Sequence, residues 1–491
     1  MHKFIGRKAE LQTLENMYHS SGFQMVVIYG RRRIGKSTLI KEFIKDKRAV
    51  YYTATKTGIS KNIELWGKQV LETLAPEMNQ LTFKNTDDLL TFLGKKSEAE
   101  RCIVVIDELP YLAEADKSIL SVLQKMIDNQ WINGQMLLIL CGSSISFMEN
   151  EVLGEKSPVF GRRTAQIRLE SFRYLEAAEF VPSYSYEEKA ICFGITGGTA
   201  KYLSMLDDSK SLDENIIQLF FTKAGYLYEE TSNLLTQEFR NVSTYNDIIT
   251  EIASGSNKVN EISDKTHLEQ SVVSHALQNL IATGIVVREK AITDESNKKK
   301  VQYNLKDNMF RFWYKFVPDG MGAIELDRGE LYYYNVVKPR LPEFMGSVFE
   351  DMCKYFTLFA GLSGGLNCFV TTVGKWWGTN PVKRETTDID VVGLDKMSRK
   401  AVLGECKFRN EPIDKKIYEE LMEKNGLIAK EYTVVQYLLF AKSGFTDWVT
   451  EHAEDDLVKL VGLEEMYGGE EKNKKAVAIL QRHPGRQLES S

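Results

Sequence analysis

The run Gly30-Arg31-Arg32-Arg33-Ile34-Gly35-Lys36-Ser37 constrains the fold of this chain more than any other feature. It matches the pattern GxxxxGK followed by Ser or Thr, comes directly after the apolar residues 25–29, and leads into a helical stretch that begins at Thr38. Strand, glycine-rich turn and helix in that order make a phosphate cradle. The glycines let backbone N–H groups turn inward around phosphate oxygens, and the helix start adds its dipole. Lys36 then reaches the outer phosphates, and the Ser37 hydroxyl ligands magnesium. ATP with magnesium is the expected ligand pair, held by Gly30, Arg31, Arg32, Arg33, Ile34, Gly35, Lys36, Ser37 and Thr38.

Such a cradle belongs at the edge of a parallel sheet, and the first 170 residues supply one. Short apolar runs at 25–29, 49–53, 102–106 and 136–141 alternate with helical stretches, as parallel strands joined by crossover helices do. The third run ends in Asp107-Glu108. An acid there can hold magnesium through its water shell and the next acid can polarise the attacking water, so Asp107 takes the first role and Glu108 the second. The fourth run ends in Ser143-Ser144. This resembles the place where an AAA+ enzyme puts a sensor residue between that water and the terminal phosphate, which makes Ser143 the candidate; the alternative for it is a helix N-cap.

At 491 residues the chain exceeds one ordinary core, and about 150 residues per domain suggests three. With 43% hydrophobic and 27% charged residues it has globular composition. A net charge of -5 and a pI near 5.9 exclude global attraction to nucleic acid or to an acidic membrane surface, so any DNA contact must come from local patches. Six scattered cysteines without a CxxC pair read as buried thiols in a reducing, cytoplasmic setting. The N-terminus lacks a signal-peptide layout, and no apolar run approaches the roughly 18 residues of a membrane helix.

Helical periodicity dominates from 171 to 240, with stretches at 186–195, 200–206 and 212–221, and reads as a helical lid. Residues 241–306 hold three short helical segments, a strand at 284–290, a polar turn from Asp294 to Lys300 and a strand at 301–305, the order of a winged helix-turn-helix. In its last helix Val272, Val273, Ala276, Leu277, Leu280 and Ile281 form the core side, while Ser271, Ser274, His275, Gln278 and Asn279 face outward. With Lys298 to Lys300 on the wing tip, that face can enter a DNA major groove, although the helix itself carries almost no positive charge. Residues 307–470 are read as linker helices followed by an α/β domain with strand candidates at 368–373, 389–393, 402–406 and 433–440; 471–491 is a charged tail.

Within that last domain, Asp388-Ile389-Asp390 opens one strand and Glu405-Cys406-Lys407 closes the next, with Glu405 and Lys407 on one face by strand alternation. Upstream, 346–350 opens a helix and brings Glu350. Asp390 and Glu405 can hold a divalent ion, Glu350 can complete the shell, and Lys407 can orient or deprotonate water, which is phosphodiester-cleaving chemistry.

The two strand-end acids, the phosphate loop, the segment Phe4-Ile5-Gly6-Arg7 followed by Glu10-Leu11, and Cys141-Gly142-Ser143-Ser144 ahead of Phe160-Gly161-Arg162-Arg163 resemble the archaeal-type ATPase family, a STAND branch of the AAA+ class. The resemblance implies that Phe4, Gly6 and Arg7 lie against the adenine and that Arg162 or Arg163 stabilises transition-state charge, within the chain or across a homo-oligomer boundary; surface ion pairs are the alternative for these arginines. The family's lid motif has proline where Gly197-Gly198-Thr199-Ala200-Lys201-Tyr202-Leu203 has Ala200. The region with Lys375-Trp376-Trp377-Gly378, the Asp388-to-Lys407 block and 440–446 resembles the domain of unknown function that accompanies this family, itself similar to PD-(D/E)xK nuclease folds. The expected fold is α/β: a P-loop AAA+-like parallel sheet with helical lid, winged helix-turn-helix and a C-terminal restriction-endonuclease-like α/β domain. Two functions fit it. One is an ATPase that couples nucleotide state to DNA binding or magnesium-dependent cleavage. The other is a STAND regulatory switch whose C-terminal fold is a catalytically silent module for DNA or a protein partner.

Overall fold

The first strands are apolar at nearly every position rather than at alternate ones, which requires a sheet covered on both faces. A computed structural model of the chain, describing residues 4–293, 301–380, 383–428, 431–453 and 457–468, has that architecture at its N-terminal end. Strands β1 (Gln24–Tyr29), β2 (Ala49–Thr53), β3 (Cys102–Asp107), β4 (Met136–Gly142) and β5 (Ala165–Arg168) form one sheet in the order β2-β3-β4-β1-β5, with every pairing parallel. Val27, Val104 and Leu138 pack with Trp66, Leu93 and Leu123 from the helices Ile59–Leu74, Thr86–Ala99 and Ile119–Asn129. Their neighbours Val26, Val105 and Ile139 pack on the other face with Leu14 of Lys8–His19 and Leu39 and Phe43 of Lys36–Ile44. Each such buried side chain contributes about 1.5–3 kcal/mol, so the strand ends that carry the chemistry rest on a two-sided core.

Because all five strands run the same way, Tyr29, Asp107 and Gly142 come out at one edge of the sheet. Four of the strands were legible from their apolar runs. β5, only four residues long with the half-polar sequence Ala165-Gln166-Ile167-Arg168, was not.

Residues up to Phe172 together with Thr199–Tyr202 make one compact unit; Arg173–Gly198 and the described residues from Leu203 onward make a second. The second unit opens with the helices Tyr174–Ala178 and Tyr186–Thr196, followed by Leu212–Phe220 and Glu230–Glu238. Ser185 with Glu188 and Ser211 with Glu214 form capping boxes that start two of these helices. Tyr174 donates to the Met466 carbonyl at 2.9 Å, Tyr186 stacks on Tyr467 with centroids 5.3 Å apart, and the buried Lys442 ammonium is 2.8 Å from Glu187. The expected lid helices are thereby fastened to Lys442 and to the helix Leu463–Tyr467.

Next come the helices Val242–Ala253, Val259–Thr266 and Gln270–Ala282 and the antiparallel pair β6 (Val286–Lys290) and β7 (Val301–Leu305). Val273, Ala276, Leu277 and Leu280 are buried at helical spacing, but Val272 is 41% exposed, one step off that stripe, which corrects its expected core placement. Asp294 to Lys300, with the wing-tip lysines, and the tail after 470 lie outside the described residues.

The last region is a mixed sheet in the order β12-β11-β10-β9-β8, built from β8 (Thr372–Thr379), β9 (Thr386–Asp395), β10 (Lys400–Lys407), β11 (Thr433–Ala441) and β12 (Val458–Gly462). The helices Lys415–Glu423 and Asp447–His452 cover one face through Ile417, Leu421 and Val449. Helix Leu341–Leu362 approaches the sheet closely: a Cβ on Gly393 of β9 would lie 3.1 Å from Thr357. Two expectations need correction. The strand expected at 368–373 overlaps the observed one only at its end: residues 368–371 are a loop with Val370 buried and Phe369 exposed, and β8 starts at Thr372 and runs on through Lys375-Trp376-Trp377. Glu350 sits inside a helix rather than at its start; the helix begins nine residues earlier at Leu341, with Pro342 in the first turn, where its missing N–H costs nothing.

All six cysteines are buried and free. Among the described residues no helix is long and apolar enough to cross a membrane.

Candidate functional site

The loop after β1 departs from ordinary backbone geometry where glycine permits it. Gly30 has φ 149° and Gly35, which caps helix Lys36–Ile44, has φ 95°. A Cβ on Gly30 would lie 2.2 Å from the Leu169 carbonyl oxygen and 2.6 Å from Ile34 Cδ1, so nothing larger fits between the loop and the segment that leaves β5. Gly30→Ala is expected to lower stability by about 1–3 kcal/mol and to distort the cradle, measurable as a lower Tm together with weaker nucleotide binding.

Lys36 is buried, and its ammonium donates to the carbonyls of Gly30 at 2.9 Å and Arg31 at 2.8 Å. Burial pulls its pKa down, against the opposing pull of Cys141, Glu108 and Asp107. Ser37 Oγ donates to Asp107 Oδ2 at 2.8 Å, and the Tyr51 hydroxyl donates to the same oxygen. Asp107 Oδ1 accepts the Glu108 N–H at 3.0 Å. Glu108 holds φ 54°, a left-handed conformation uncommon for a side-chain-bearing residue, and its Oε2 accepts the Ser143 hydroxyl at 2.8 Å and the Ser143 N–H at 3.3 Å. Phosphate loop, both acids and Ser143 thus form one connected group, in which Ser143 is a partner of Glu108 and not a helix cap. The donor set suits a magnesium nucleotide: hard oxygens from Ser37 and Asp107 stand side by side, next to a buried ammonium and a helix N-terminus.

Other expected contact residues are distributed differently. Ile34 buries its side chain in the core and Thr38 is exposed on the flank of the helix. Arg32 reaches the Tyr111 hydroxyl at 3.0 Å. Phe4 packs against the core below β1, and Gly6 precedes Arg7 with φ 65°. Arg7 is buried, with its guanidinium 4.1 Å from the Phe172 ring centroid and donating to the carbonyls of Ile34 and Glu170. That side chain braces the phosphate loop against the segment leaving β5. Arg162 is committed to Asp128 through two bonds of 2.7 and 2.6 Å, which holds that carboxyl below its usual range, and Arg163 reaches the Leu153 carbonyl at 3.4 Å. The surface-ion-pair alternative describes Arg162 as it stands here.

Sequence reasoning missed Tyr51, which lies 56 residues from Asp107. The stretch read as helical from 200 is a short helix, Ala200–Leu203. Lys201 donates its N–H to the Arg33 carbonyl at 3.1 Å, and the Ala200 Cβ is 3.4 Å from where a Cβ on Gly35 would be. Thr199–Tyr202 therefore packs on the phosphate loop, directly after Gly197 and Gly198, whose φ values are 59° and 68°.

The C-terminal acids converge, each beside a lysine. β9 and β10 bring Asp390 and Glu405 one step beyond the pair Val391–Gly404, and Glu350 comes from helix Leu341–Leu362. Lys375 of β8 lies 3.2 Å from Glu350, 2.9 Å from Asp388 and 3.6 Å from Asp390. Glu405 is held by Lys407 at 2.6 Å and Lys424 at 2.7 Å, and Asp390 Oδ2 accepts the Cys406 N–H at 3.1 Å. Burial, then the charge of Asp390, raises the Glu350 pKa; burial, then the charge of Glu405, raises that of Asp390. Burial disfavours the charge of Lys375, but Glu350, Asp388 and Asp390 outweigh it and its pKa goes up. Among the described residues no group of three acids, histidines or cysteines is placed to hold a metal, and the ammonium groups of Lys375, Lys407 and Lys424 stand against these carboxylates.

Residues 4–206 match the family described as an ATPase domain predominantly from Archaea, and residues 313–421 match one described as Archaea bacterial proteins of unknown function. An uncharacterized protein of Methanocaldococcus jannaschii is 28% identical over 443 residues, 89% of this chain and 95% of that protein. An uncharacterized ATP-binding protein of the same organism is 42% identical over 45 residues, 9% of this chain and 76% of that protein. The Walker-type ATPase of Pyrococcus abyssi, a solved structure, is 18% identical, with 64% of this chain and 96% of that one covered at a TM-score of 0.48.

Proposed function

We propose, from the premise that residues 4–206 carry an ATPase domain of the predominantly archaeal family, that the chain is a nucleotide-driven switch of STAND type. The observation that carries the reading is the connected group Lys36, Ser37, Asp107, Glu108 and Ser143 around the phosphate loop. Bound magnesium nucleotide supplies the electrophilic phosphorus and the leaving group. Lys36 binds the outer phosphates, Ser37 and Asp107 hold the metal, Glu108 takes the proton of the attacking water, and Ser143 orients Glu108. Thr199–Tyr202 is the relay: its backbone touches the phosphate loop at Arg33, while the chain on both sides of it belongs to the second unit. Hydrogen exchange on the full chain tests the relay. Protection over 197–203 is expected to differ between a non-hydrolysable ATP analogue and ADP; identical exchange in the two states would reject a switch.

The second unit is read as the output. Three helices and a hairpin support a winged helix-turn-helix, and Ser271, His275 and Gln278 are exposed on the outer side of helix Gln270–Ala282, where they can meet DNA. The lysine-paired carboxylates favour the reading in which the C-terminal fold is a silent binding module rather than a nuclease. Plasmid DNA incubated with magnesium and ATP is expected to stay intact with wild type and with Asp390→Ala alike. Cleavage by wild type that disappears in Asp390→Ala would restore the nuclease reading.

A further inference from the structure

We propose that Tyr51 is a positioning residue of the nucleotide site, fixing the Asp107 carboxylate in the orientation that a magnesium ion requires. The inference rests on the nucleotide-site reading above and adds a residue to it.

The terminal torsion of an aspartate is broad, so a carboxylate keeps one orientation only if its partners hold it there. Asp107 Oδ1 has the Glu108 N–H, a backbone donor fixed by the strand end. Oδ2 has two hydroxyls, from Ser37 and Tyr51. The Ser37 hydroxyl is the one a metal recruits, since serine at the helix start is a magnesium ligand in this kind of loop. A hydroxyl that ligates a metal through its oxygen keeps its proton for Asp107 but must move with the metal, whereas the Tyr51 hydroxyl holds the same Oδ2 from outside the phosphate loop.

Tyr51 is suited to that role by its attachment. It lies on β2, paired with Val105 of β3, so the strand that carries Asp107 also sets the height of the phenol. Its ring packs against the core formed with Leu39, Ile40 and Phe43, and the Lys41 ammonium stands 5.6 Å from the ring centroid. The next residue, Tyr52, turns to the opposite face and stacks on Trp66 at 5.3 Å, which pins the strand register and so the face on which Tyr51 lies. The hydroxyl therefore reaches Asp107 from a rigid support, and hydrogen bonds to a charged acceptor are the strong ones.

The test is an equilibrium titration of the full chain with a fluorescent, non-hydrolysable ATP analogue, with and without magnesium, on wild type and Tyr51→Phe. Without magnesium the two are expected to bind equally, because the phosphate cradle is intact. The gain in affinity that magnesium gives wild type is expected to fall about tenfold in Tyr51→Phe, the size of losing one charge-assisted hydrogen bond. An undiminished gain overturns the proposal. Equal weakening with and without magnesium overturns it too, since it would make Tyr51 a support of the fold only. Wild type that binds no analogue under either condition overturns the nucleotide site itself, a result distinct from the other two.

Discussion

Lys36→Ala is expected to weaken ATP binding by about 100-fold or more, because it removes a charged donor that makes at least two strong bonds to phosphate, each contributing about 1.5–3 kcal/mol. The loss is large here because the ammonium is buried. Its carbonyl partners on Gly30 and Arg31 hold it inside the loop, and burial already lowers its pKa, so the cation is stabilised further by an anion brought into the cradle. Removing it leaves backbone N–H groups and the helix start as the phosphate donors. Calorimetric titration with ATP measures the effect, and the fold can be checked by an unchanged thermal transition. Affinity within threefold of wild type would mean that triphosphate binds elsewhere.

Glu108→Gln is expected to leave ATP binding intact and to lower turnover by about 100- to 10,000-fold, the range attributed to a general base. The geometry separates the two effects. Glu108 touches neither the Lys36 ammonium nor the Ser37 hydroxyl; its carboxylate accepts from Ser143, and its backbone N–H supports Asp107. Glutamine keeps the backbone bond and an acceptor oxygen for Ser143 but cannot take a proton from water. A phosphate-release assay beside a binding titration checks this, and hydrolysis equal to wild type would remove Glu108 from the base role. The same variant holds the ATP state long enough to compare exchange over 197–203 with that of ADP-bound wild type.

Reading the site from the sequence worked where chemistry and spacing are local. The phosphate loop is eight consecutive residues, and the two acids close a strand whose apolar run announces it. It failed where a run carried two signals. Residues 368–373 are apolar enough for a strand, yet the first four are a loop that buries Val370 and exposes Phe369, while the strand from Thr372 on holds a lysine and two tryptophans. The spacing of Glu405 and Lys407 did give one face of one strand, as their 2.6 Å ion pair requires, but a three-residue pattern says nothing of Lys375 or Lys424, which come from a neighbouring strand and from the segment after a helix. With those two in place, the same acids stand in ion pairs that the pattern did not announce.

By itself the sequence determined that a parallel sheet would present a triphosphate cradle, with two acids close enough in topology to serve it, because strand periodicity and glycine placement act over a few residues. Only the tertiary structure decided which distant groups complete the site: Tyr51 on Asp107, Ser143 on Glu108 across 35 positions, and Arg7 bracing the Glu170 carbonyl across 163. Those pairings follow from strand order and from the two-sided burial of the sheet, which are properties of the whole fold that no local pattern encodes.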